Sequence, residues 1–190
     1  MLKKVMLFVI VAMFTLIVGA CATDKDATPQ QNKDEAVPVS SSTPLDIDII
    51  NTKDAKVGKA TLTETKEGVK IGLKIEGMEP GTKAIHIHET AKCDPPDFKS
   101  AGEHFNPGHK EHGFDNPKGF HSGDLPNIEV SDNGTVNVEI IATNVTLGQG
   151  ENSLLDEDGS ALVIHENADD YKTDPAGNSG DRIACGAITK

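Results

Sequence analysis

The strongest constraint on how this chain can fold is a two-residue alternation of apolar and polar side chains that returns in short runs. DIDII (46–50), KATLTET (59–65), VKIGLKIEG (69–77), KAIHIHE (83–89), TVNVEIIA (135–142) and ALVIHE (161–166) all carry it. In an extended strand, neighbouring side chains point to opposite faces, so such a run buries one face and wets the other. Turn sequences such as DNG (132–134) and DEDG (156–159) separate the runs, and no segment of ordinary helical length repeats every 3.6 residues. The chain therefore reads as all-β, a sandwich or barrel, with two long loops over about 90–127 and about 166–181. Loops of that length in a compact domain are usually functional. There is no internal repeat.

The N-terminus reads MLKKVMLFVIVAMFTLIVGAC, with Lys3 and Lys4 ahead of an apolar run and small residues before Cys21. That order is a secretory signal over residues 1–20. The ending VGAC resembles a bacterial lipobox, which makes Cys21 the lipid-bearing (palmitoylated) first residue of a lipoprotein. An uncleaved membrane anchor is the alternative, since the run is long enough to span at roughly 20 residues. Both readings export the domain, tether it to the cell membrane and place it outside the cytoplasm. Residues 21–44 hold no aromatic and few apolar side chains, so they form a tether too polar to fold alone. The folded domain is expected over 45–190, about 145 residues, enough for a real core.

With Cys21 assigned to lipid, Cys93 and Cys185 remain. An oxidising compartment favours joining them, against the alternative of two free thiols. The bridge would close on the order of 90 residues and stabilise by about 4 kcal/mol through chain entropy. A net charge of −12, with aromatics at 4% and no Trp, excludes a nucleic-acid binder and a carbohydrate-stacking platform. An anionic substrate would need a local positive patch to overcome the general field.

The loop stretch GEHFNPGHKEHGFDNPKGFHSGDLPN (102–127) holds His104, His109, His112 and His121, with Asp124 three residues after the last histidine. Gly, Pro and Asn dominate its other residues, so its imidazoles sit on irregular backbone. Three imidazoles and a carboxylate, His104, His112, His121 and Asp124, would suit a closed, tetrahedral structural zinc site, with a histidine-rich loop that binds adventitious metal as the alternative. Metal binding there would order the loop, because binding free energy becomes folding free energy. On the strand HIH, His86 and His88 share one face while Ile87 takes the core side. His165 ends another strand and could offer a third nitrogen; imidazole-rich sites suit copper, zinc, nickel or iron, and three or four nitrogens approaching a tetragonal plane favour copper(II). H-x-H alone is a weak signal, with two polar-core or surface histidines as its plain alternative.

HIHE, SAGEHFNP, HSGDLPN, VIHENADD and GNSGDRIACGAI, in that order and at these spacings, resemble the signatures of the copper–zinc superoxide dismutases, most closely bacterial exported forms. The resemblance covers roughly 45–190. It implies a Greek-key β-barrel (an immunoglobulin-like sandwich) with two long functional loops. It implies copper ligands His86, His88, His104 and His165, and zinc ligands His104, His112, His121 and Asp124, so that His104 bridges the two metals. Asp169 would link His86 to His112, Arg182 would stand beside the copper, and Cys93 and Cys185 would form the family disulfide. His109 matches no ligand position and reads as a solvated loop residue.

The activity implied is oxidoreductase chemistry: superoxide converted to dioxygen and hydrogen peroxide by Cu(II)/Cu(I) cycling, with a structural zinc. His104 would donate a proton and Arg182 would attract and orient the anion. A non-enzymatic copper/zinc-binding lipoprotein of the same fold is the alternative, and Arg182 with a bridging His104 argues against it because storage needs neither. A zinc hydrolase would need an open zinc position, which four ligands close. The span from His165 to Arg182 is 17 residues and holds one lysine, Lys172, short for a substrate-guiding loop. The resemblance is compatible with a monomer or a bacterial-type dimer.

Overall fold

The structure is a computed structural model that describes residues 43–190; the expected signal segment, Cys21 and nearly all of the tether lie outside the described residues. Nine strands are described: β1 (Leu45–Asn51), β2 (Lys56–Thr65), β3 (Gly68–Glu76), β4 (Gly81–Lys83), β5 (Ile85–His88), β6 (Ile128–Val130), β7 (Thr135–Ala142), β8 (Ser160–His165) and β9 (Arg182–Ile188). Among the described residues the one helical turn is a short 3-10 segment, Lys99–Ala101, in the first long loop. Seven strands form a curled antiparallel sheet in the order β5-β8-β9-β1-β2-β3-β7, and β4 pairs with β6 in a ribbon of its own. β4 runs directly into β5 and β6 into β7, so the ribbon connects the two ends of the large sheet.

The alternation seen in the sequence becomes the core. Ile47 and Ile49 of β1, Ala60 and Leu62 of β2, and Val69, Ile71, Leu73 and Ile75 of β3 are buried together with Leu162 and Ile164 of β8. Their intervening neighbours, such as Lys59, Thr61, Lys70 and Lys74, keep contact with solvent. β8 departs from this pattern because all six of its residues are buried. Its inner side chains join the main core, while Ala161 and Val163 pack on the other face with Phe98, Ala101 and Cys185. That second cluster pins the start of the first long loop to the sheet, and the Cys93–Cys185 disulfide, with Cα atoms 5.6 Å apart, ties the same point covalently.

Three departures from the sequence expectation have physical causes. The run 83–89 is divided between two sheets: β4 pairs with β6 and β5 pairs with β8, with Ala84 as the switch. β9 is absent from the alternating runs because both of its neighbours are in the sheet and both faces are largely covered, so RIACGAI shows no polar side. A third long connection, 143–159, joins β7 to β8. It is held by Val145 and Leu154 in the core and by Glu64, whose Oε2 accepts the Thr146 hydroxyl at 2.9 Å and the Leu147 N–H.

Candidate metal centre

β5 is the edge strand of the large sheet, and an edge exposes unpaired N–H and C=O groups. The first long loop takes up that edge. Ile87 N–H donates to the Gly123 carbonyl, Phe105 N–H to the Ile87 carbonyl and Gly123 N–H to the Phe105 carbonyl, each at 2.8 Å. The docking sets His104 opposite His88 and Asp124 opposite His86 as isolated bridges. Two distant loop residues thus reach the HIH face because backbone hydrogen bonding brings them there. His165, at the end of the adjacent strand β8, completes the group.

His86, His88, His104 and His165 form one cluster, all buried, with one donor atom from each within 4.8 Å of the others. In each ring one nitrogen is engaged. His86 Nε2 meets Asp169 Oδ2 at 2.8 Å, His88 Nδ1 meets the Gly102 carbonyl at 3.0 Å, and His104 Nδ1 meets Asp124 Oδ1 at 2.9 Å. His165 Nδ1 lies 3.1 Å from Ser179 Oγ and 3.4 Å from the Gly180 carbonyl. The other nitrogen of every ring, His86 Nδ1, His88 Nε2, His104 Nε2 and His165 Nε2, is buried without a hydrogen-bond partner. One such unsatisfied group costs about 1–3 kcal/mol. Four of them facing one another make a pocket for an electron acceptor, and a late first-row metal such as copper fits that donor set.

The second cluster adjoins the first through His104. Asp124 Oδ1 lies 2.9 Å from His104 Nδ1, 3.0 Å from His112 Nδ1 and 3.2 Å from His121 Nδ1, and the His104 and His121 Nδ1 atoms are 3.3 Å apart. Zinc bonds of about 2.0–2.1 Å arranged tetrahedrally place their donor atoms about 3.3 Å apart. These four atoms fit such an ion with little adjustment. His86 also comes within reach of His104, His112 and Asp124, so the clusters share a wall. The second Asp124 oxygen accepts the backbone N–H groups of Gly113 and His121, each at 3.0 Å, and cannot turn away.

Asp169 couples the two clusters: Oδ2 accepts from His86 and Oδ1 accepts from His112 at 3.0 Å. Each bond uses Nε2, which leaves His86 Nδ1 as a lone-pair nitrogen, while His112 Nδ1 meets Asp124 and offers a lone pair only once that ring gives up its proton. Asn127 clamps Asp169, with its amide donating to the Asp169 carbonyl and its oxygen accepting the Asp169 N–H, each at 2.9 Å. Gly177, at φ 63°, passes so close to Asp169 and His112 that any Cβ there would overlap the carboxylate.

Protonation follows from these surroundings. Burial pushes His86 and His165 down to about 4 and His104 to about 3, with the neighbouring imidazoles adding to the effect. Burial likewise holds His88 well below its ordinary value. All four rings are neutral near pH 7 and present lone pairs. For His112, burial acts downward but the hydrogen bonds to Asp124 and Asp169 prevail and lift it to about 9. Burial works to raise Asp124 and Asp169, yet their histidine partners hold both well below the usual carboxylate range.

Arg182 opens β9 and points its guanidinium at the first loop, donating to the carbonyls of Phe98 and Gly102 at 2.8 Å each. With His88, His104 and His165 it lines a cavity of about 270 Å³ whose opposite wall is the second loop, from Thr173 to Gly180. His109 is exposed, at φ 49°, and belongs to neither cluster; Lys172 is exposed and does not line the cavity. Sequence reasoning missed Asp174, whose Oδ1 accepts the His112 backbone N–H at 2.7 Å, and Tyr171, whose hydroxyl accepts the Asn127 N–H at 2.6 Å. Both act through backbone groups, so no residue pattern marks them.

A curled β-sheet that brings six imidazoles and Asp124 into adjoining donor clusters, with Asp169 linking two of the rings, has the donor inventory for two metal ions. The sequence profile of the copper/zinc superoxide dismutase (SODC) family matches residues 56–188. The chain belongs to that family, and several of its relatives are named copper–zinc superoxide dismutases, which are oxidoreductases. It is 55% identical over 143 residues to copper–zinc superoxide dismutase 1 of Aquifex aeolicus, covering 74% of this chain and 85% of that one. It is 42% identical over 186 residues to the superoxide dismutase-like protein YojM of Bacillus subtilis, covering 96% and 95%. Among solved structures, a SOD-like protein from Bacillus subtilis superposes with a TM-score of 0.75 at 45% identity over 77% of this chain and 99% of that one. The Cu/Zn superoxide dismutase of Brucella abortus superposes with a TM-score of 0.65 at 26% identity, covering 77% and 99%.

Proposed function

We propose that this chain converts superoxide to dioxygen and hydrogen peroxide, with copper held by His86, His88, His104 and His165 and zinc held by His104, His112, His121 and Asp124. One observation carries the reading: four buried ring nitrogens without partners face one another beneath a cavity that also exposes an arginine. Bound copper supplies one-electron redox capacity between Cu(II) and Cu(I), which a redox-inert zinc cannot, and zinc supplies the charge that organises the loop. The protein's share is positioning. Arg182 keeps N–H groups beyond its two carbonyl bonds, and these orient an anion in the cavity by charge and hydrogen bonding. His104 offers one nitrogen to each cluster, and its Nε2, on the cavity side, is the atom from which a proton can pass to the reduced substrate. Asp169 fixes the rings of His86 and His112 so that neither can rotate out of line.

The test is reconstitution of the purified chain with Cu(II) and Zn(II), followed by metal analysis and a superoxide assay. About one copper and one zinc per chain with copper-dependent dismutation is the expected result. Stoichiometric metal with negligible activity would overturn it in favour of metal storage.

We also propose that Cys21 bears lipid and that the domain is displayed outside the cytoplasm on a membrane. The lipobox-like VGAC and the polar segment that follows support this reading. Mass spectrometry of the membrane-extracted protein should find an acylated N-terminal Cys21, and Cys21→Ser should release the domain into the soluble exported fraction. An unmodified Cys21 still preceded by residues 1–20 would mean an uncleaved anchor.

A further inference from the structure

The cavity above the first cluster does not have the charge that an anion-capturing channel would be expected to have. Three charged residues line it: Arg182, Glu103 and Asp174. Asp174 already accepts the His112 N–H. Glu103 is different. Its backbone is fixed, with its N–H on Glu89 Oε1 at 3.1 Å and its carbonyl accepting the Glu89 N–H at 3.0 Å. Its side chain is exposed, and among the described residues its carboxylate has no hydrogen bond and no ion pair. Arg182 cannot move out to neutralise it, because its guanidinium is held by the Phe98 and Gly102 carbonyls. The two charges nevertheless sense one another through space, since Glu103 and Asp97 both favour the charged form of Arg182. Lys99, the nearby cation, is engaged with Asp97 at 2.9 Å. The cavity thus carries one fixed positive charge against two carboxylates, Asp174 tied to a backbone N–H and Glu103 free, on a chain whose net charge is −12.

We propose that Glu103 is an access-limiting residue: its free carboxylate at the rim opposes the attraction of Arg182 and slows capture of small anions, superoxide included. The inference rests on the dismutase reading for its substrate, although the effect on anion entry does not depend on turnover. A charge at the lip of a low-dielectric cleft acts on encounter rate and is screened by salt.

The experiment compares the copper- and zinc-loaded wild-type chain with Glu103→Gln, and with Glu76→Gln, which removes an equal charge from β3 away from the cavity. Two readouts are taken across ionic strength: kcat/KM for superoxide, and azide affinity from the visible absorption of the loaded protein. Glu103→Gln should raise kcat/KM and tighten azide by about two- to five-fold at low salt, with the gain fading as salt screens the site. Glu76→Gln should leave both close to wild type. Equal values for Glu103→Gln and wild type in both readouts would overturn the proposal, as would an equal gain from Glu76→Gln, which would point to overall charge. A wild-type protein that binds metal and azide without dismutating superoxide would remove the enzyme reading, and the azide comparison would still decide the role of Glu103.

Discussion

The sheet and the two long loops are ordered by different physics. In β2 and β3 the side chains Leu62, Ile71, Leu73 and Ile75 are buried by apolar contact, and removing water from them is the stabilising force. The loops bury less such surface, chiefly Phe105 and Leu125 of the first loop in the main core and Phe98 beside it. They are ordered by a backbone dock on the edge of β5, by carboxylate–imidazole bonds, by a small second core around Phe98 and by a disulfide. The sheet is thus held mainly by apolar burial, while the loops depend in addition on polar and covalent links that redox state, pH and metal can alter.

The largest break in that contrast should come from the covalent link. Cys185→Ser removes a closure spanning 92 residues in sequence, and chain entropy puts the loss at about 4–5 kcal/mol. Hydrogen exchange should show the Cys93–Gly102 segment opening first, with β2 and β3 still protected under native conditions. Uniform loss of protection across β2 and β3 as well would mean that loops and sheet are one cooperative unit.

Leu73→Ala probes the other side. A buried leucine truncated in a close-packed core costs about 2–5 kcal/mol. Chemical denaturation should show the whole domain losing stability, and saturating zinc should add the same increment to variant and wild type, since the metal never touches this part of the core. Selective recovery of the variant by zinc would link core and loops energetically.

Asp169→Asn is a smaller change aimed at the polar scaffold. Losing an outer carboxylate that orients ligands typically lowers metal affinity by about 10–100-fold. Competition with a chelator should show zinc loss of that size while far-ultraviolet dichroism stays that of the wild type. Unchanged zinc affinity would mean that the rings are oriented by packing alone.

Acidity gives the finest comparison. In the metal-free protein His86, His165 and His104 are held at about 4, 4 and 3, below the unfolded value of 6.5. Between pH 6.5 and about 4 the unfolded chain binds protons that the folded chain refuses, so stability falls as pH falls. His112, raised to about 9, acts with the opposite sign. Its stabilisation is complete below 6.5 and disappears as pH rises through 9. Denaturant titrations at stepped pH should show both limbs in the metal-free protein, and zinc binding near pH 8 should release a proton from His112. A flat profile from pH 6.5 to 4 would contradict the burial of these rings as neutral groups.

Most of the sheet was legible in the sequence because a half-buried strand leaves its imprint residue by residue; TVNVEIIA became β7 with the same limits, 135–142. β9 left none, since a strand covered on both faces has no polar partner to alternate with. β4 and β6, at three residues each, are too short to show a period. In the site, His104, His112, His121 and Asp124 were visible because their chemistry is unusual on a glycine- and proline-rich loop, and His86 and His88 because strand alternation sets them on one face. Asp174, Tyr171 and Asn127 look like ordinary loop residues, and so does Glu103.

By itself, then, the sequence determined the strand faces, the all-β class and the inventory of donor atoms, because periodicity and side-chain chemistry are local properties. Only the tertiary structure decided which nitrogen of each ring is free. That choice depends on contacts across 14 to 83 residues of chain, from His88 to Gly102 and from His86 to Asp169. It also decided that the free carboxylate of Glu103 stands in the cavity lining with Asp174 and the hydrogen-bonded Arg182. Ring orientation and local field arise where separate segments meet, and the order of residues does not specify that meeting until the chain has folded.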